Sequence, residues 1–95
     1  MANNRQIKRK WRRVLERWCR PDEGGPSIKL GAGLYKGECV FQAPDGLHLL
    51  VHTNATTFCG EYVIETADHL VLGLLTAGRS LSFVGWERIT GLEFH

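Results

Sequence analysis

Five apolar side chains near the start of the chain, Ile7, Trp11, Val14, Leu15 and Trp18, are separated by 4, 3, 1 and 3 residues. At about 100° per residue they fall in one stripe roughly 100° wide, the pattern of an α-helix that lays one face on a core. Asn3 or Asn4 supplies an N-cap, and Pro21 cannot continue the helix. Asp22 to Pro26 (DEGGP) has linker composition. The spacing therefore predicts a helical unit over residues 1–20 and a linker over residues 21–27.

Charge is divided along the same boundary. Residues 1–20 carry eight basic side chains (Arg5, Lys8, Arg9, Lys10, Arg12, Arg13, Arg17, Arg20) and one acid, Glu16, a balance of +7. Residues 21–95 carry four basic and nine acidic side chains, a balance of −5, and the two recover the total of +2. All eight basic residues lie outside the apolar stripe. A helix docked by that stripe would turn a basic face outward from an acidic body.

Beyond the linker the pattern changes to short alternating segments. Leu34–Gln42 and Leu47–Thr53 read as strands around the turn sequence Ala43-Pro44-Asp45-Gly46. In the second of them Leu47, Leu49 and Val51 fall on one face and His48, Leu50 and His52 on the other. Thr57–Thr66 and His69–Leu75 read as a further pair, Ala77–Arg79 as a turn, and Ser80–Phe94 as one or two final strands. Residues 35–51 and 58–74 match at a constant offset of 23, with Gly37/Gly60, Glu38/Glu61, Val40/Val63, Asp45/Asp68, Leu47/Leu70 and Leu49/Leu72 identical. We read this as a duplicated hairpin. The expected fold is mainly β: a small five- or six-stranded β-barrel over residues 28–95, preceded by one amphipathic basic N-terminal α-helix.

Ninety-five residues make one domain. No apolar run approaches the roughly 18 to 20 residues of a membrane span. Trp11, Arg12 and Arg13 stand where a secretory signal needs an unbroken apolar stretch. Three cysteines, Cys19, Cys39 and Cys59, are an odd count that suits free thiols in a reducing compartment. A cytoplasmic location is the expectation.

The ending Arg79-Ser-Leu81-Ser-Phe83-Val-Gly-Trp86-Glu-Arg88-Ile89-Thr-Gly-Leu92 resembles the last strands of Sm-like and SH3-like small barrels. That resemblance implies a strand, a short turn of helix and a final strand, and a basic N-terminal helix on a face that handles RNA. Arg9-Lys-Trp-Arg-Arg13, Tyr35 to Val51 and Gly91-Leu-Glu-Phe94 resemble, more faintly, the PilZ domain, a barrel that binds cyclic dinucleotides. Where that family carries D-x-S-x-x-G, this chain has Phe41-Gln-Ala43-Pro-Asp-Gly46 and keeps the glycine alone. The recurring Tyr35-x-Gly-Glu38 element is similar to MORN repeats but lacks their G-x-G.

Catalytic patterns are weak. His48 and His52, four apart on a strand, lie about 13 Å from each other, too far to share one tetrahedral ion. Cys59 has no nucleophile signature around it, and Gly31-Ala-Gly33 lacks the spacing of a phosphate loop. Trp86 suits a core better than a stacking platform. The expectation is a non-catalytic binding module with no cofactor and no metal. Its partner would be nucleic acid, DNA or RNA, held at its phosphates by Arg5, Lys8, Arg9, Arg12, Arg13, Arg17 and Arg20. An adaptor or regulator that meets an acidic protein surface is the alternative, with homo-oligomerisation through sheet edges. A cyclic-dinucleotide-responsive regulator is a further one.

Overall fold

The computed structural model describes residues 4–21, 28–30, 35–66, 69–76 and 80–95. It contains one helix, α1 (Asn4–Trp18), and nine strands among those residues: β1 (Arg20–Pro21), β2 (Ile28–Leu30), β3 (Tyr35–Gln42), β4 (Leu49–His52), β5 (Thr57–Gly60), β6 (Tyr62–Thr66), β7 (Val71–Leu75), β8 (Leu81–Gly85) and β9 (Gly91–Phe94). A 3-10 turn, Trp86–Arg88, joins the last two. Of the expected linker 21–27 only Pro21 is described, and it pairs with Phe41 as part of β1. The expected turn at Ala77–Arg79 and the repeat residue Asp68 lie outside the described residues.

The mainly-β expectation holds, with one correction. The strands do not close into a barrel but form two antiparallel sheets. One runs β1-β3-β6-β7-β8, with β2 also on β3, and the other runs β5-β4-β9. The edge of β3 that closure would need is already taken by β1 and β2. The chain passes between the sheets at three corners. The Pro44–Leu47 turn leads from β3 to β4, with Leu47 N–H donating to Pro44 C=O at 3.0 Å. Glu61 separates β5 from β6, where one continuous strand was expected. Its N–H donates to Leu75 C=O at 2.9 Å, and its own C=O accepts from Ala43 N–H at 2.8 Å. The 3-10 turn carries the chain from β8 to β9, with Trp86 N–H donating to Leu70 C=O. Residues 80–94 thus hold two final strands, as expected, joined by the short turn of helix that the resemblance over residues 79–92 implied.

The 23-residue repeat does not correspond to a duplicated hairpin. β6 and β7 pair with each other, but β3 and β4 belong to different sheets. Gly37 sits opposite Thr66 inside the large sheet. Gly60 ends β5 at a corner, where an added Cβ would lie 3.0 Å from Leu74 Cβ and 3.1 Å from the Leu75 backbone. The Gly-Glu pair is thus mid-strand in one copy and a crossover in the other. Similar residues satisfy two different backbone demands.

The core lies between the sheets and under the helix. It joins Leu15 and Cys19 of α1 to Phe41, Leu49, Val51, Val63, Leu72, Leu74, Val84, Trp86 and Ile89. The alternation read in residues 47–52 is observed in β4, where Leu49 and Val51 are buried and Leu50 and His52 are half-exposed. Trp86 is a core residue at 3% exposure.

Helix docking follows from this core. Truncating a fully buried leucine typically removes about 2 to 5 kcal/mol. Leu15→Ala should therefore lower the denaturation midpoint strongly, whereas Trp18→Ala, at a position 55% exposed, should shift it far less. Gly60→Ala should also destabilise, because the atoms it meets are backbone and a buried Cβ that cannot move aside. Urea titrations of the three variants measure these differences.

Candidate nucleic-acid interface

The helix does not rest on the middle of its apolar stripe. Leu15 (1% exposed) and Cys19 (6%) point into the core, while Ile7, Trp11 and Val14 are half-buried and Trp18 is exposed. On a wheel of about 100° per residue, the docked face is centred roughly a quarter turn from the stripe's centre. What occupies that docked face beside Leu15 and Cys19 is charge. Lys8 Nζ and Arg12 Nη1 each lie 2.7 Å from a different carboxylate oxygen of Glu65. The Arg12 guanidinium also stacks over Phe41, 5.9 Å from the ring centre.

Glu65 explains the roll. It follows Val63 at a spacing of two on β6, so it shares the core-facing side of the strand, and it is 7% exposed. A carboxylate there must be paired. Burial pushes its pKa up, but hydrogen bonds and charge from Lys8 and Arg12 outweigh that and hold it below the usual 4.5. His69 Nδ1 lies 3.3 Å from the same carboxylate, at a turn residue with φ of 60°.

The seven residues expected to bind phosphate accordingly divide. Lys8 and Arg12 are turned toward the body and bind Glu65, which corrects the expectation that every basic side chain would face solvent. Arg12 Nε also reaches Glu16 at 3.6 Å. Arg20 pairs with Asp45 at 2.7 Å, joining the end of the helix segment to the Pro44–Leu47 turn. The other four, Arg5, Arg9, Arg13 and Arg17, are exposed. Spaced i, i+4, i+8 and i+12, they form one ridge, with steps of about 6 Å and a length of about 18 Å. None of the four makes an ion pair with a described acid. Lys10, the eighth basic residue, is exposed beside them and covers Trp11, its Nζ 4.6 Å from the ring centre. Arg17 lies over Trp18 at 5.5 Å.

On the far side of the helix an apolar groove of about 260 Å³ opens between α1 and the small sheet, lined by Val14, Leu15, Trp18, Leu49, Leu92, Glu93 and Phe94. Arg9 and Arg13, the arginines of the PilZ-like element, are not among its lining residues. Among the described residues no group of three or more His, Cys, Asp or Glu side chains is placed to hold a metal ion. His52 instead bridges neighbouring strands, with Nδ1 2.8 Å from Thr57 Oγ1 and Nε2 2.8 Å from Glu93 Oε1. No disulfide joins Cys19, Cys39 and Cys59; Cys19 is buried and Cys59 exposed. Burial pushes the Cys19 thiol up to about 11. Comparison with known protein families, with curated proteins and with solved structures finds no match.

Sequence reasoning missed Glu65. The signal was present: an acid two residues from Val63, on the same side of a strand that also carries core residues. Such a residue calls for cations on whatever packs over it.

Two outcomes follow from this chemistry. A carboxylate whose folded pKa is depressed adds stability above its unfolded pKa, and that stability is lost as pH falls through the folded value. The unfolding midpoint should therefore drop as pH falls below about 4.5, the ordinary carboxylate value. In Glu65→Gln part of that drop should disappear, with a lower midpoint at neutral pH, as thermal melts across pH would record. An aromatic disulfide reagent should titrate Cys59 at once in the native protein and Cys19 only on unfolding.

Proposed function

We propose that this chain is a nucleic-acid-binding module that engages phosphates through the Arg5–Arg9–Arg13–Arg17 ridge of α1. One observation carries the reading: four arginines stand in line on an exposed helix face and make no ion pair with a described acid, while Lys8, Arg12 and Arg20 hold the helix in place. Exposed guanidiniums in a row suit a polyanion better than a single small anion. The body beneath is acidic and repels polyanions, so it confines contact to that one face. Phosphate contacts carry little base information, so affinity should depend weakly on sequence.

The division of the basic residues sharpens the test. Four phosphate contacts give a log–log salt slope of about −3.6 on duplex DNA and about −2.8 on a single strand. Fluorescence anisotropy with labelled duplexes of unrelated sequence, titrated from low to moderate salt, measures it. Arg9→Glu with Arg13→Glu should abolish binding and leave the melting midpoint near wild type. Arg12→Ala should instead destabilise the fold while the folded fraction still binds. Equal binding by wild type and the Arg9/Arg13 double variant, on both DNA and RNA, would overturn the reading.

A further inference from the structure

The groove between α1 and β9 raises a separate question. Its walls are apolar: Val14, Leu15 and Trp18 on one side, Leu49, Leu92 and Phe94 on the other, with Trp18 packed edge-on to Phe94 at 6.5 Å between ring centres. At about 260 Å³ it falls below the roughly 300 Å³ at which small-molecule pockets begin. It has room for one or two side chains and offers no cluster of polar groups to orient a nucleotide. Trp18 remains 55% exposed along its rim.

A second feature lies alongside. Among the described strands β9 pairs with β4 alone and forms an edge of the small sheet. His48 and His95 exchange both backbone hydrogen bonds, at 3.2 and 3.0 Å. Antiparallel pairs alternate between bonded and non-bonded positions. The pairs Leu49–Phe94 and Val51–Leu92 are therefore of the non-bonded kind, and the N–H and C=O groups of Leu92 and Phe94 face away from β4, toward the open edge. The two residues whose side chains line the groove are also those whose backbone is offered for pairing. An extended segment laid along β9 would place alternate side chains over the groove.

Charge selects the occupant. The solvent-side rim is basic, with Arg17 against Trp18 and Lys10 one turn before Val14. The acid at the opposite rim, Glu93, is engaged by His52 at 2.8 Å. A second copy of this chain would bring an equally basic helix against the first. We infer that the α1–β9 groove is a docking site for an extended peptide segment with a large apolar anchor and acidic flanks. The segment adds as a strand to β9, sets its anchor against Trp18, Leu92 and Phe94, and meets Lys10 and Arg17 with its carboxylates. The inference does not rest on nucleic-acid binding by the arginine ridge, with which the groove shares Arg17.

The test is an array of synthetic peptides of about ten residues, each with Phe, Leu, Val or Ser at its centre and either Asp/Glu or Lys/Arg flanks, probed with the full chain. Acidic-flanked peptides with Phe or Leu should be retained about tenfold or more above their Ser counterparts. Methylating alternate backbone nitrogens of the best peptide should abolish retention, a result that needs no change to the protein. Val14→Glu should also abolish it, and Arg17→Glu should reduce the preference for acidic flanks. Retention of all acidic peptides whatever their centre would mean general attraction to the basic helix and would overturn the inference. So would insensitivity to backbone methylation, or occupation of the groove by a second copy, seen as a dimer by sedimentation that Val14→Glu dissociates.

Discussion

The pairing of Glu65 with Lys8 and Arg12 sets which faces of the helix this protein presents to solvent. A carboxylate on the core-facing side of β6 is costly to bury alone, and the helix is the element that supplies its cations. Those cations sit beside the apolar stripe, not opposite it. Satisfying Glu65 therefore rolls the helix away from the position that would bury the most apolar area. Leu15 and Cys19 become the buried residues, and Trp18 is left over the groove.

That roll has two consequences on opposite flanks of one helix. On one flank it leaves Arg5, Arg9, Arg13 and Arg17 exposed and without an ion pair to a described acid. On the other it leaves Val14 and Trp18 as a partly uncovered ledge facing Leu92 and Phe94. A helix docked on the centre of its stripe would have buried the ledge and left Glu65 without charge partners. Both candidate surfaces thus derive from the same electrostatic requirement in the core.

The two sheets show a comparable economy. Short strands, close backbone approach at Gly60 and three corners let one chain of 95 residues cover both sides of a small core. Among the described strands the arrangement leaves β9 at an edge. Edge strands are normally shielded from chance pairing, and here the nearest shield, the end of α1, stands off far enough to leave the groove.

By itself the sequence determined the helix, its basic character, the strand-rich body and the faces of β4. Each is a local property, set by periodicity, turn chemistry and charge along the chain. It did not determine which strands pair, since pairing depends on contacts far apart in sequence. The 23-residue repeat was legible, but the placement of β3 and β4 in different sheets was not, because the same Gly-Glu pair fits a straight strand or a corner. Nor could it divide the seven expected phosphate-binding residues. Lys8 and Arg12 look like Arg9 and Arg13 in any local measure. Only the tertiary structure decided between them, by carrying Glu65, 53 residues beyond Arg12, to the helix face where a buried carboxylate needs positive charge.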